Sequence, residues 1–277
     1  MKRILLFIFA FGIFSINAQD LTSKKGENYL PEEGEWAIGF AANPFLDFAG
    51  NLFNSNASAP SYSEPMMAGT FYGKLFTSDD QAYRVTLGIN MGSQKTSTLV
   101  TGYTLNQGDW ELTDNMVEDV QKVSESSFAL GLGKEFRRGS TRLQGVYGAE
   151  ALFKLSSTTT KYEYGNSIQS PAYNLFDSRP IDVKSGSTLE FGVRAFIGAE
   201  YFIAPKISIS AEYGWGLHLT SKAGGSTTSE TQELDNNDNT ISSSSSVDAV
   251  GGPNSFTIGN DLGFDLGSAS LGLMLHF

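Results

Sequence analysis

Cysteine is absent from the 277-residue chain, and histidine occurs only as His218 and His276. Without cysteine there is no disulfide, no thiolate metal site and no lipid anchor on an N-terminal cysteine. A nucleophilic centre would have to join a serine to one of the two histidines. Basic residues are scarce too: 19 Lys and Arg stand against 30 Asp and Glu, a net charge of −11. That balance argues against nucleic acid as a partner, because phosphate recognition needs clustered Lys and Arg. After residue 20 no apolar run is long enough for a membrane-spanning helix.

The N-terminus carries Lys2 and Arg3, an apolar run from Ile4 to Ile16, and small residues through Ala18. This is the pattern of a secretory signal peptide over residues 1–19, cut after Ala18 or Gln19. Its removal takes the net charge from −11 to −13. Hydrophobic residues at 40% and aromatics at 12% exclude a disordered composition. A periplasmic lead over 20–34 and one domain over 35–277 are expected to follow.

Within that domain the dominant signal has period two. Leu189, Phe191, Val193, Ala195, Ile197, Ala199 and Tyr201 alternate with Glu190, Gly192, Arg194, Phe196, Gly198 and Glu200. Beyond Ala204-Pro205, Ile207, Ile209, Ala211, Tyr213, Trp215, Leu217 and Leu219 alternate with Ser208, Ser210, Glu212, Gly214, Gly216 and His218. A helix would repeat near 3.6, so these are two strands of an antiparallel hairpin. Similar segments lie at Trp36–Phe40, Met67–Phe76, Tyr83–Met91, Phe128–Leu132, Leu143–Phe153 and Leu271–Phe277.

Short turns at 78–81, 138–140 and 204–205 alternate strictly with long connections at about 47–65, 94–121, 156–186 and 221–255. The expected fold is all-β: a transmembrane antiparallel up-and-down β-barrel of about eight strands, with short periplasmic turns and long extracellular loops. Tyr83, Phe136, Tyr201 and Phe277 would form one aromatic girdle, Phe153 and Trp215 the other. Many of the 30 glycines fall on the polar face, where a narrow interior leaves little room.

The chain ends on Leu271, Leu273, Leu275 and Phe277 at alternate positions. This resembles the C-terminal signal of bacterial outer-membrane proteins. The resemblance implies an outer-membrane location, outer-membrane lipid as surroundings, and a last strand read by the barrel-assembly machinery. Phe264 and Leu266 are out of phase with this run, so either a bulge near Ser268-Ala269 resets the register or the strand begins near Ala269.

The polar face carries Lys74, Arg84, Glu150, Lys154, Glu190, Arg194, Glu200 and Glu212. In a narrow barrel these would pair across the lumen, since charge facing lipid costs roughly 2–4 kcal/mol at mid-depth. A charge network of Arg84, Glu150, Glu190, Arg194, Glu200 and Glu212 is expected, with Arg194 as hub. A static polar plug is favoured over a proton or solute path. His218 points inward near the outer rim, but no carboxylate is fixed beside it in sequence and no Gly-x-Ser-x-Gly elbow occurs. His276 is read as an inward residue without chemistry.

In the third connection Tyr162, Tyr164, Tyr173 and Phe176 could bind a surface ligand or pack the loop onto its own strands. The second holds Asp109, Trp110, Glu111, Asp114, Glu118 and Asp119. The fourth, Ser226 to Ser246, is read as a solvated, mobile loop. Its Asp235-Asn236-Asn237-Asp238-Asn239 string lacks EF-hand spacing. No cofactor, metal or catalytic set is expected. Three function classes remain open: a structural or recognition barrel acting through its loops, a narrow channel for small solutes or ions, and an outer-membrane enzyme. The long loops favour the first, which resembles the small non-porin outer-membrane proteins.

Overall fold

The computed structural model describes residues 21–41, 69–237, 239–259 and 269–277. Twelve antiparallel strands occur among them, and no helix there is long and apolar enough to cross a membrane. In chain order they are β1 (Trp36–Ala41), β2 (Gly69–Ser78), β3 (Gln81–Asn106), β4 (Asp109–Arg138), β5 (Leu143–Glu163), β6 (Ser178–Lys184), β7 (Thr188–Ala204), β8 (Ile207–Lys222), β9 (Ser226–Leu234), β10 (Thr240–Asp248), β11 (Ser255–Gly259) and β12 (Ala269–His276).

Eight of the twelve pair in a closed ring. The pairings run β1–β2–β3–β4–β5–β7–β8–β12 and return from β12 to β1. Its stagger can be read from the register. Met274 leads through Gly39, Tyr72, Thr86, Gly131, Leu152 and Gly192 to His218, ten residues along β8 from Ser208, which Met274 faces directly. With a rise of about 3.3 Å and a strand spacing of about 4.8 Å, that stagger tilts the strands by about 40°.

The count of twelve corrects the expectation of about eight, and the difference lies in the connections. Residues 94–121 are not a loop, because β3 and β4 continue as one hairpin to a turn at Gln107 and Gly108, whose φ values are 50° and 99°. Two positive φ angles suit the tight hairpin turn, and glycine accepts one of them without strain. The 156–186 region holds the end of β5 and all of β6, and 221–255 holds β9 and β10. The fourth connection, expected to be mobile, is thus largely a hairpin. Beyond the ring, β10-β9-β6-β5-β4-β3 form a continuous six-stranded wall. Along β10 and the far ends of β3 and β4 most residues on both faces are exposed, and the period-two contrast that marks a strand is weak there. The 47–65 connection, the signal peptide, and Phe264 and Leu266 lie outside the described residues.

The short turns stand where the sequence places them, at Asp79-Asp80, at 139–142 and at Pro205-Lys206. Asp80 accepts a hydrogen bond from the Ser78 hydroxyl, which holds its carboxyl below the usual range. Residues 21–34 fold back beneath this end. Pro31 is buried there, the Arg142 guanidinium stacks on Tyr29 at 3.6 Å, and Lys206 pairs with Glu35.

Outside, the ring presents an apolar belt. On β5 it runs from Leu143 to Leu155 and on β8 from Ile207 to Leu219. Twelve steps at the tilt above give a height of about 30 Å. At its lower edge Phe136 stacks on Tyr147 with ring centroids 5.5 Å apart, and the Lys134 ammonium lies 5.2 Å from Phe136. Trp36 stacks on Phe277 at 4.5 Å, and their backbones exchange hydrogen bonds in both directions. Phe277 thus fastens the seam where the last strand meets the first. Phe277→Ser keeps the backbone bonds and loses the stack, worth about 0.5–1.5 kcal/mol beyond its area. A several-fold drop in folded yield is expected, and a larger one on deletion of Phe277. Unboiled gel electrophoresis measures that yield; normal yield for both would refute the role.

Candidate functional site

Tilt and alternation turn one residue in two towards the ring's axis. Nearest the short turns lie Phe76, Phe202 and His276, with ring centroids 5.7 and 5.0 Å from the imidazole. Above them is a buried charge cluster. Glu135 accepts from Lys74 at 3.0 Å, Arg84 at 3.2 Å and Arg137 at 3.2 Å. Glu200 accepts from Lys74 at 3.1 Å and Arg137 at 2.8 Å. Arg84 also grips both oxygens of Glu212, at 2.6 and 3.1 Å, and lies over the Phe196 ring at 4.1 Å. Further along, Arg194 donates to Glu150 at 2.5 Å and approaches Glu212 to 3.9 Å.

Four cations, Lys74, Arg84, Arg137 and Arg194, thus meet four carboxylates, Glu135, Glu150, Glu200 and Glu212. The cluster is neutral as a whole. All eight side chains are buried. The space beside Tyr72, Lys74, Arg84, Ser210, Glu212 and Met274 is about 10 Å³, the size of one water probe. Glycine makes this packing possible. A Cβ on Gly214 would stand 1.9 Å from the Arg194 Nε, so the guanidinium occupies the volume that a side chain would take.

The arrangement corrects the expected hub. Arg194 reaches Glu150 and Glu212 but not Glu200 or Glu190, which sit six and four residues away on its own strand, about 20 and 13 Å along it. The crowded centre is Glu135 with Glu200. Lys74 is legible as inward-facing from the alternation; Glu135 and Arg137 are not in the expected network. Their signal was present, since Phe136 in the outward phase forces both neighbours inward. Glu190 faces Lys154 and Thr220 in register, nearer the far rim.

Serine, histidine and carboxylate do meet, at Ser208, His276 and Glu200. Ser208 Oγ is 2.8 Å from His276 Nε2 and donates to Glu200, whose Oε1 lies 3.5 Å from the same ring nitrogen. A nucleophile relay needs the carboxylate on one ring nitrogen and the serine on the other. Here both crowd Nε2, and Ser208 is fully buried, so the trio lacks that geometry and adjoins the charge cluster through Glu200. His218 is buried opposite Gly192 and Thr257.

On the wall, Arg179 lies over Tyr164 at 4.0 Å and Tyr173 at 4.4 Å and pairs with Glu230. Tyr164 also donates to the Pro180 carbonyl and stacks on Tyr162. These aromatics therefore pack the third connection onto its strands. Phe176 is different: it is 66% exposed, with φ of 68°, beside exposed Leu175. Asp235 accepts from the Asn239 side chain and from the backbone N–H groups of Asn239 and Asn237, which lowers its carboxyl pKa and commits its oxygens to the β9–β10 turn. Leu271, Leu273, Leu275 and Phe277 share the outward face of β12.

No protein-family model matches the chain, and no curated protein matches it. Among solved structures it is similar to a major outer membrane protein from Thermus thermophilus, at 13% identity and a TM-score of 0.29, over 89% of this chain and 100% of that one.

Proposed function

We propose that the chain is an outer-membrane β-barrel, delivered by a signal peptide and the barrel-assembly machinery, that acts at the cell surface by recognition rather than by conduction or catalysis. The observation that carries this reading is the filled, charge-neutral interior. Among the described residues the space beside the cluster holds about one water, too little for an open aqueous path through the waist, so what the chain does falls to the strands beyond it. The belt of about 30 Å supports the membrane placement, being the thickness of a hydrocarbon core. The wall supports the surface role, because binding concentrates on segments held by a rigid scaffold. Leu175 and Phe176 are its best anchor, exposed on a connection held in place by Arg179.

Reconstituted in planar bilayers, the protein should give no steady current, and it should shift its gel mobility on boiling. Leu175→Ser with Phe176→Ser should abolish binding of cell-surface ligands and keep the boiling shift. A steady, ion-selective current in the wild type, untouched by the double change, would overturn the recognition reading in favour of a channel.

A further inference from the structure

On the outward face, composition changes row by row above the belt. Ile89, Phe128 and Leu155 form one cross-strand row on β3, β4 and β5. The next rows on that face are Met91, Ser126 and Ser157, then Ser93, Ser124 and Thr159. Two of these hydroxyl pairs lie within hydrogen-bonding distance, Ser93 to Ser124 at 3.3 Å and Ser126 to Ser157 at 3.0 Å. The row after that is Lys95, Lys122 and Lys161.

Three lysines directly opposite one another across three strands destabilise a sheet. In a chain of net charge −11 they are not a by-product of composition. All three are exposed, and no ion-pair partner reaches any of them among the described residues. Lys161 faces Asp182 in register, but that carboxylate lies towards Lys184, at 3.9 Å. Lys184 also lines a shallow groove of about 580 Å³ with Ser157, Thr159, Ser185, Ser226 and the one carboxylate Asp248, a lining able to hydrogen-bond sugar hydroxyls. The lysine row is about 15 Å above the last fully apolar row, and each long side chain can bend its ammonium back towards the belt.

The geometry points to a binding site for the phosphorylated headgroup of an outer-leaflet lipid. Lys95, Lys122 and Lys161 take the phosphate, and the hydroxyl-lined groove beside Lys184 takes the adjoining sugar. The apolar belt beneath receives the acyl chains, so one molecule would touch lysine, hydroxyl and apolar rows in the order in which they occur. This inference rests on the membrane placement proposed above.

The test uses the full-length protein in neutral detergent micelles, titrated with bis-phosphorylated lipid A and read by native mass spectrometry. Lys95→Gln/Lys122→Gln/Lys161→Gln should weaken binding about tenfold or more, given the attraction of each lysine to an anionic surface. Lys24→Gln/Lys25→Gln, at the opposite end, should bind as the wild type does. Lipid A stripped of its phosphates should bind the wild type as weakly as intact lipid binds the triple variant. Unchanged binding by the triple variant, or equal binding of the stripped lipid, overturns the site. Complete displacement of lipid A by millimolar inorganic phosphate overturns the lipid assignment in favour of a free-anion site. The boiling shift separates the two readings: its absence in the wild type would sink the membrane placement, whereas its presence with unchanged lipid binding sinks this inference alone.

Discussion

Arg84→Leu is expected to cost about 3–5 kcal/mol of unfolding stability, the usual penalty for stranding one partner of a buried pair. The guanidinium holds both oxygens of Glu212 and one of Glu135. Once it is gone, Glu135 keeps Lys74 and Arg137, but among the described residues Glu212 keeps only Arg194, at 3.9 Å. The cluster also falls from neutral to one net negative charge beside a space that holds about one water. Removing the stranded carboxylate should therefore rescue the variant, and Arg84→Leu/Glu212→Leu should recover at least half of the loss. Arg84→Lys should fall between wild type and Arg84→Leu, because it keeps the charge and loses the bidentate fork. Urea unfolding in lipid vesicles, followed by tryptophan fluorescence, measures all three. A change below about 0.5 kcal/mol for Arg84→Leu, the range of an ordinary surface substitution, would mean that water reaches Glu212, and the closed-lumen reading would fail.

The inward set of this cluster is largely legible from alternation alone. Arg84, Glu150, Arg194, Glu200 and Glu212 each occupy the polar phase of a clear alternation, and each is buried. Phase decides which face a side chain takes. It does not decide which residue on another strand it meets, because that depends on the stagger of the ring, a property of closure rather than of any one segment. Phase alone accordingly gives Arg194 partners on its own strand that geometry puts out of reach. Glu135 and Arg137 are hidden differently: a Glu-Phe-Arg-Arg string beside a glycine turn reads as the turn's own polar flank. The wall is the least legible part. Segments such as Thr240–Asp248 form strands because a neighbour supplies the backbone partners, and a serine-rich run with water on both faces carries no apolar stripe to announce it.

Ile197→Arg is the substitution that most directly separates lipid from water outside the ring. Ile197 sits near the middle of β7, between the ends of the belt at Leu189 and Ile203, and is 65% exposed. On a water-covered surface an arginine there would cost within about 0.5 kcal/mol, since an exposed apolar side chain contributes little. At the mid-plane of a bilayer it should cost about 2–4 kcal/mol, because the guanidinium must be dragged out of water or must pull water in. Depth gives an internal control. Leu143→Arg, at the end of β5 close to the short turns, can place its guanidinium in the headgroup layer, where the penalty falls to about 0–1 kcal/mol. The expected result is thus a gradient, steep at Ile197 and shallow at Leu143, in the urea stability of vesicle-inserted protein. Equal and negligible costs at the two positions would mean that the belt is covered by water or by another protein surface, and the outer-membrane assignment would fall with it.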